Sequence, residues 1–110
     1  MIETLILDYL SEHLEVFVGM EAPEQVTNYV ILDKTGSSRS NHIITTSFAL
    51  QSYGASLYEA MELNAEVEEV MEGLPELNQI ARVELETDYN FTNTATKQYR
   101  WQAVYQITHY

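Results

Sequence analysis

Ala81-Arg82-Val83-Glu84-Leu85-Glu86 and, one polar loop later, Tyr99-Arg100-Trp101-Gln102-Ala103-Val104-Tyr105-Gln106-Ile107-Thr108 are the runs on which the fold turns. In the first, Ala81, Val83, Leu85, Tyr89 and Phe91 alternate with Arg82, Glu84, Glu86 and Asp88. In the second, Tyr99, Trp101, Ala103, Tyr105 and Ile107 alternate with Arg100, Gln102, Val104, Gln106 and Thr108. Successive side chains of a strand point to opposite faces, so this period of two marks strands with one buried face. Joined by the polar residues 90–96, they make an antiparallel hairpin.

Upstream the period changes to that of a helix. Ser56-Leu57-Tyr58-Glu59 fits a capping box, in which serine and glutamate satisfy each other's orphan N–H groups. Ala60, Leu63, Val67, Val70, Met71 and Leu74 then form an apolar stripe. Gly73 is expected in the left-handed conformation after the helix, with Pro75 blocking its continuation. Before the helix, residues 42–53 alternate again: Ile44, Thr46, Phe48 and Leu50 share one face, and Ile43, Thr45, Ser47, Ala49 and Gln51 the other.

Lys34-Thr35-Gly36-Ser37-Ser38-Arg39-Ser40-Asn41 has the composition of a loop. Tyr29-Val30-Ile31-Leu32 reads as a strand covered on both faces. Val16 to Met20 is a shorter strand, closed by a turn at Pro23. Residues 2–14 place Ile2, Leu5, Ile6, Tyr9, Leu10, His13 and Leu14 at helical spacing. The order α-β-β-β-α-β-β predicts one α+β domain over residues 1–110. It is a mostly antiparallel sheet with two helices packed on one face. The expected core gathers Phe48, Leu50, Leu63, Val67, Val83, Leu85 and Trp101.

A chain of 110 residues has room for one core. The absence of cysteine excludes a disulfide scaffold, a thiolate metal site and a cysteine nucleophile, and suits a reducing compartment. Met1-Ile2-Glu3-Thr4 has no basic leader segment, and the longest uncharged stretch, residues 40–58, is too polar to span a bilayer. An intracellular protein is expected. Seventeen acidic residues against five basic ones give a net charge of −12, which disfavours binding to nucleic acid or anionic membrane.

No catalytic signature is present. The chain lacks Gly-x-Ser-x-Gly, a glycine-rich phosphate loop, Ser-x-x-Lys and His-Glu-x-x-His. His13, His42 and His109 are too far apart in sequence to suggest a shared metal. Glu59, Glu62, Glu66, Glu69 and Glu72 are spaced along one helix, but a straight helix does not wrap oxygens around a cation, so a solvated face is expected. A non-enzymatic protein without cofactor or metal is the expectation.

Four of the five basic residues, Lys34, Arg39, Lys97 and Arg100, fall in or beside the two polar loops, while acids crowd the second helix. Chance clustering and a charge dipole suited to head-to-tail self-association both remain open. Under the second, the basic loops of one subunit would meet Glu62, Glu66 and Glu69 of the next.

Three segments carry a family resemblance: Arg39-Ser40-Asn41-His42-Ile43-Ile44-Thr45-Thr46-Ser47-Phe48, Gln51-Ser52-Tyr53-Gly54 with Ser56-Leu57-Tyr58-Glu59-Ala60, and Tyr99-Arg100-Trp101-Gln102-Ala103 with Thr108-His109-Tyr110. Together they resemble the tail completion, head–tail joining or tail terminator proteins of long-tailed phages and prophages of Gram-positive bacteria. The resemblance implies a small sheet flanked by helices and a structural role. That role is a homo-oligomeric ring, typically hexameric, which caps the tail tube, stops its growth and docks the head. Its partners would be copies of itself, the tail tube protein and head connector proteins. Its place would be the host cytoplasm during assembly and the virion tail afterwards. The family has no motif of site residues to carry over. An acidic decoy that mimics DNA and blocks a nucleic-acid-binding protein is the alternative that the charge suggests.

Overall fold

The computed structural model describes residues 2–110. In chain order the elements are α1 (Ile2–His13), β1 (Phe17–Gly19), β2 (Tyr29–Ser40), β3 (Ile43–Gly54), α2 (Leu57–Met71), a 3-10 turn at Leu74–Glu76, β4 (Ile80–Asn90) and β5 (Tyr99–His109). The predicted α+β order is thus the observed one. The strands form one sheet in the order β1-β2-β3-β5-β4, antiparallel except for the short parallel pair β1–β2.

Both helices lie on the same face. The apolar stripe of α2 lies over β3 and β5, and α1 lies over β1 and β2 beside it. Ile6 and Leu10 of α1, Leu63, Val67 and Met71 of α2, and Phe48, Leu50, Ala103, Tyr105 and Ile107 of the sheet form one buried cluster. The expected core residues Phe48, Leu50, Leu63 and Val67 are buried there. Val83 is only half-buried at its margin, Leu85 is 44% exposed, and Trp101 is half-buried outside the cluster. β4 is an edge strand, so α2 does not extend far enough to cover its apolar residues. Trp101 shares the face of Ala103 and Tyr105 but sits near the start of β5, opposite Ser52 and Asn90.

Three local features depart from the sequence reading. Residues 34–40 are strand, not loop: they continue β2 in register with β3, from Lys34↔Phe48 to Ser40↔Ile43. Asn41 (φ 50°) and His42 (φ 68°) make a two-residue turn with both residues left-handed, as hairpin twist demands. The segment reads as a loop because every residue from Asp33 to Ser40 is exposed, so nothing imposes an apolar alternation.

Gly73 is right-handed (φ −86°, ψ −8°) and leads into the 3-10 turn. A glycine is required there for space. A Cβ would lie 2.5 Å from the Tyr9 hydroxyl, which donates to the Val70 carbonyl and ties α1 to the end of α2. At the other end Ser56 caps α2 as predicted. Its Oγ accepts from the Glu59 N–H at 3.2 Å, while the Glu59 carboxylate accepts from that hydroxyl rather than from the Ser56 N–H that the capping box expects.

The third departure is a set of β-bulges. The register shifts between Lys34 and Gly36, between Ile80 and Arg82, and between Leu85 and Thr87. One extra residue reverses the faces of everything beyond it. Thr35 therefore brings Ser37 and Arg39 onto the helix-bearing face that Lys34 already occupies, in line with Thr46, Ile44 and Phe48. Glu86 puts Asp88 on that face beside Ala103 and sends Tyr89 to the opposite one beside Gln102. This corrects the expected grouping of Tyr89 with Val83 and Leu85.

Candidate functional site

The bulge at Glu86 builds the least ordinary group of side chains in the molecule. Asp88, turned toward α2, shares a hydrogen bond with Glu68. Asn64, one turn earlier on α2, donates its Nδ2 to Glu68 at 2.5 Å and to Asp88 at 3.5 Å. Burial and the neighbouring Asp88 push the Glu68 carboxyl up to about 7, with Glu72 adding to the effect. Tyr105 stands behind them, its hydroxyl pushed well above its usual range by burial and by Glu68, Asp88 and Glu72.

Asn64 is 5% exposed, and its Oδ1 is buried without a hydrogen-bond partner among the described residues. An unsatisfied buried carbonyl costs about 1–3 kcal/mol. The niche opens to solvent through a groove of about 260 Å³ between α2 and β4, with Val83, Leu85 and Pro75 as apolar walls and Glu68 and Glu72 as its acids.

A second groove, of about 760 Å³, lies between the first turns of α1 and the far half of β2. Lys34, Ser37 and Arg39 line it from β2, Thr46 from β3 and Asp8 from α1. Lys34 reaches Glu3 at 3.7 Å, whereas Arg39 has no ion pair among the described residues. β1 pairs with β2 only from Tyr29 to Ile31. The outer edge of β2 from Leu32 onward therefore has no strand beside it among the described residues.

The four basic residues do not form one patch. Arg39 aligns through Ile44 with His109, at the opposite end of β5 from Arg100. Nine residues of strand separate those ends, about 30 Å at 3.3 Å per residue. Lys97 lies in the β4–β5 turn with φ 55° and is exposed. Arg100 is held inside the molecule's own contacts: Nε donates to the Phe91 carbonyl at 2.6 Å, Nη1 to the Tyr53 hydroxyl at 3.1 Å, and the guanidinium lies over the Phe91 ring. Its work is to hold the β4–β5 turn against the sheet.

The acids divide as well. Glu62 and Glu66 line a small groove with Val16 and Asn28, on the α1 side of α2, and Glu69 is exposed. Glu68 and Glu72 face β4. The sequence reading leaves Glu68 beside the solvated acidic face of α2 and gives Asn64 and Asp88 no role, because the bulge that joins them leaves no periodic trace. The signal that could have found them is Asn64, a polar residue standing in the apolar stripe of α2 between Leu63 and Val67.

The histidines have structural surroundings. His13 Nδ1 lies 2.8 Å from the Tyr9 carbonyl, His42 occupies the β2–β3 turn, and buried His109 pairs its Nε2 with the Thr46 hydroxyl at 2.9 Å. Among the described residues no three or more His, Cys, Asp or Glu side chains are placed to hold a metal ion, and no helix is long and apolar enough to cross a membrane. Neither a scan of protein-family models nor a search of curated proteins finds a match to this chain.

Proposed function

We propose that this chain is a non-catalytic assembly protein of a long-tailed phage, a subunit of a homo-oligomeric ring that caps the tail tube and joins it to the head. The observation that carries the reading is the pair of uncovered sheet edges. One is the far half of β2, with Arg39 and with Lys34 beside Glu3; the other is β4, where Arg82 pairs with Glu84 and leaves Glu86 and Asp88. A ring needs two different, complementary surfaces on every subunit, and unlike charges disfavour the self-pairing of either edge. The family resemblance supplies the biological setting: host cytoplasm during assembly, then the tail of the virion. An acidic decoy would have no use for a basic edge.

The test is mass by native mass spectrometry or light scattering, alone and with tail tube protein, across salt. A closed oligomer, hexameric on the family's precedent, that halts tube elongation is the expected result. A chain that stays monomeric at every salt concentration, with and without tube ends, refutes the reading.

A further inference from the structure

We propose that the outer edge of β2 from one copy adds to the outer edge of β4 of the next, and that Lys34 and Arg39 of the incoming strand face the carboxyl niche of Glu68, Asp88 and Glu72. This inference rests on the ring reading and names the contact that would close it.

Strand direction permits the contact. β2, β3, β5 and β4 are antiparallel neighbours in turn, so β2 and β4 of one subunit run in opposite directions. Rotating a copy about an axis roughly along the strands brings its β2 beside β4 of the first as an antiparallel pair. The helices of both copies then stay on the same side of the extended sheet. The contact joins two different edges, so it is heterologous and can close. Backbone edges of this kind are ready templates for strand addition.

The bulges place the side chains. Thr35 aligns Ser37 and Arg39 with Lys34 on the helix-bearing face, and Glu86 aligns Asp88 on the same face. Strands in a sheet lie about 4.8 Å apart, so a lysine or arginine on an added strand spans the distance to an acid at the mouth of the neighbouring groove. The half-exposed Leu85 offers its surface to the aliphatic stem of such a side chain. Asn64 adds an observation of its own: its Oδ1 is a buried acceptor without a donor among the described residues, beside the carboxyls of Glu68 and Asp88. Glu84 is paired with Arg82 of its own strand, so Glu86 and Asp88 are the acids that repel a second β4 while admitting a basic strand.

The chain has no cysteine, so introduced cysteines pair only with each other. Ser38 lies on the helix-free face of β2, as do Glu84, Thr87 and Tyr89 on β4. Ser38→Cys combined in turn with Glu84→Cys, Thr87→Cys and Tyr89→Cys should, on oxidation, give a covalent ladder reaching the full ring in at least one combination. Single variants should stop at dimers. Rings of normal mass with no ladder in any combination overturn the edge contact and leave the ring reading standing. Monomers throughout overturn both.

A second readout uses the niche itself, where Glu68 is faced by Asp88 of β4, Glu72 and Asn64 of α2 and Tyr105 of β5. An incoming cation favours the ionised pair, so assembly releases a proton and should weaken several-fold as pH falls from 8 to 6. Glu68→Gln should assemble more weakly at pH 8 and lose most of that pH dependence. An unchanged pH dependence in Glu68→Gln places the cations elsewhere.

Discussion

Replacing Glu68 with glutamine should make the isolated subunit more stable at alkaline pH and leave it nearly unchanged at acid pH. Glu68 titrates near 4.5 when unperturbed and about 7 in the folded chain. The folded state therefore binds the proton more tightly than the unfolded state. Its contribution to stability is fully present below about pH 4.5 and lost as pH rises through about 7. A shift of that size corresponds to roughly 3 kcal/mol at 1.36 kcal/mol per unit. Glu68 borders a solvent-filled groove, and screening there cuts the effect to roughly 1–2 kcal/mol.

Glutamine keeps the size and hydrogen-bonding capacity of the protonated acid but never ionises. For a chain of this length each kcal/mol moves the melting temperature by about 4 °C. The gap between variant and parent should open from near zero at pH 5 to roughly 4–8 °C at pH 8.5. Melting curves followed by circular dichroism, at a concentration where light scattering reports monomer, measure it. Comparing the two proteins at each pH removes the general repulsion of a chain carrying −12. A gap independent of pH, or a variant less stable than the parent at pH 8.5, would refute the raised Glu68 carboxyl.

Phe48→Ala should destabilise the subunit by about 3–5 kcal/mol, since the side chain is fully buried at the centre of the only cluster that joins both helices to the sheet among the described residues; urea denaturation measures it. Gly73→Ala should cost about 1–3 kcal/mol because its methyl meets the Tyr9 hydroxyl, and Tyr9→Phe in the same chain should recover part of that loss. Arg100→Ala should raise proteolytic cleavage between Asn90 and Gln98 by removing the side chain that holds the turn, with little change in helix content. A chelator should leave the melting temperature unchanged, and a fall of many degrees on adding EDTA would reveal an ion-binding arrangement of the acids.

The fold was legible wherever burial imposed a period. Phe48 and Leu50 on β3, Ala103, Tyr105 and Ile107 on β5, and Leu63 and Val67 on α2 lie on the faces that their spacing assigns. The capping box of α2 was legible for the same kind of reason, since Ser56 and Glu59 are local partners. Legibility ended where no core pressed on the chain. Residues 34–40 hide a strand because their hydrogen bonds go to β3 while their side chains go to water. Gly73 suggested a left-handed cap, yet its reason is Tyr9, a residue 64 positions away. The bulges at Thr35 and Glu86 are set by strand pairing and leave no mark in composition. They decide which charges face the helices, so the candidate site was out of reach of a periodic reading.

The location of the destabilising groups argues for an interface role. A half-buried acid raised to about 7 beside another acid weakens the isolated chain at alkaline pH by roughly 1–2 kcal/mol, and the unpaired amide oxygen next to it by about 1–3 kcal/mol. Hydrophobic or amide residues of similar size would remove that penalty, because α2 and β4 already provide Val83, Leu85 and Met71 around the groove. A group that lowers stability in the free chain and sits at an open edge is explained if a partner neutralises it. Strained and under-satisfied groups concentrate where proteins bind or react. In the proposed edge contact, Lys34 and Arg39 of a copy would supply the missing charge. On this account Glu68→Gln improves the monomer and impairs the assembly, a pair of opposite effects that a purely structural carboxyl would not produce.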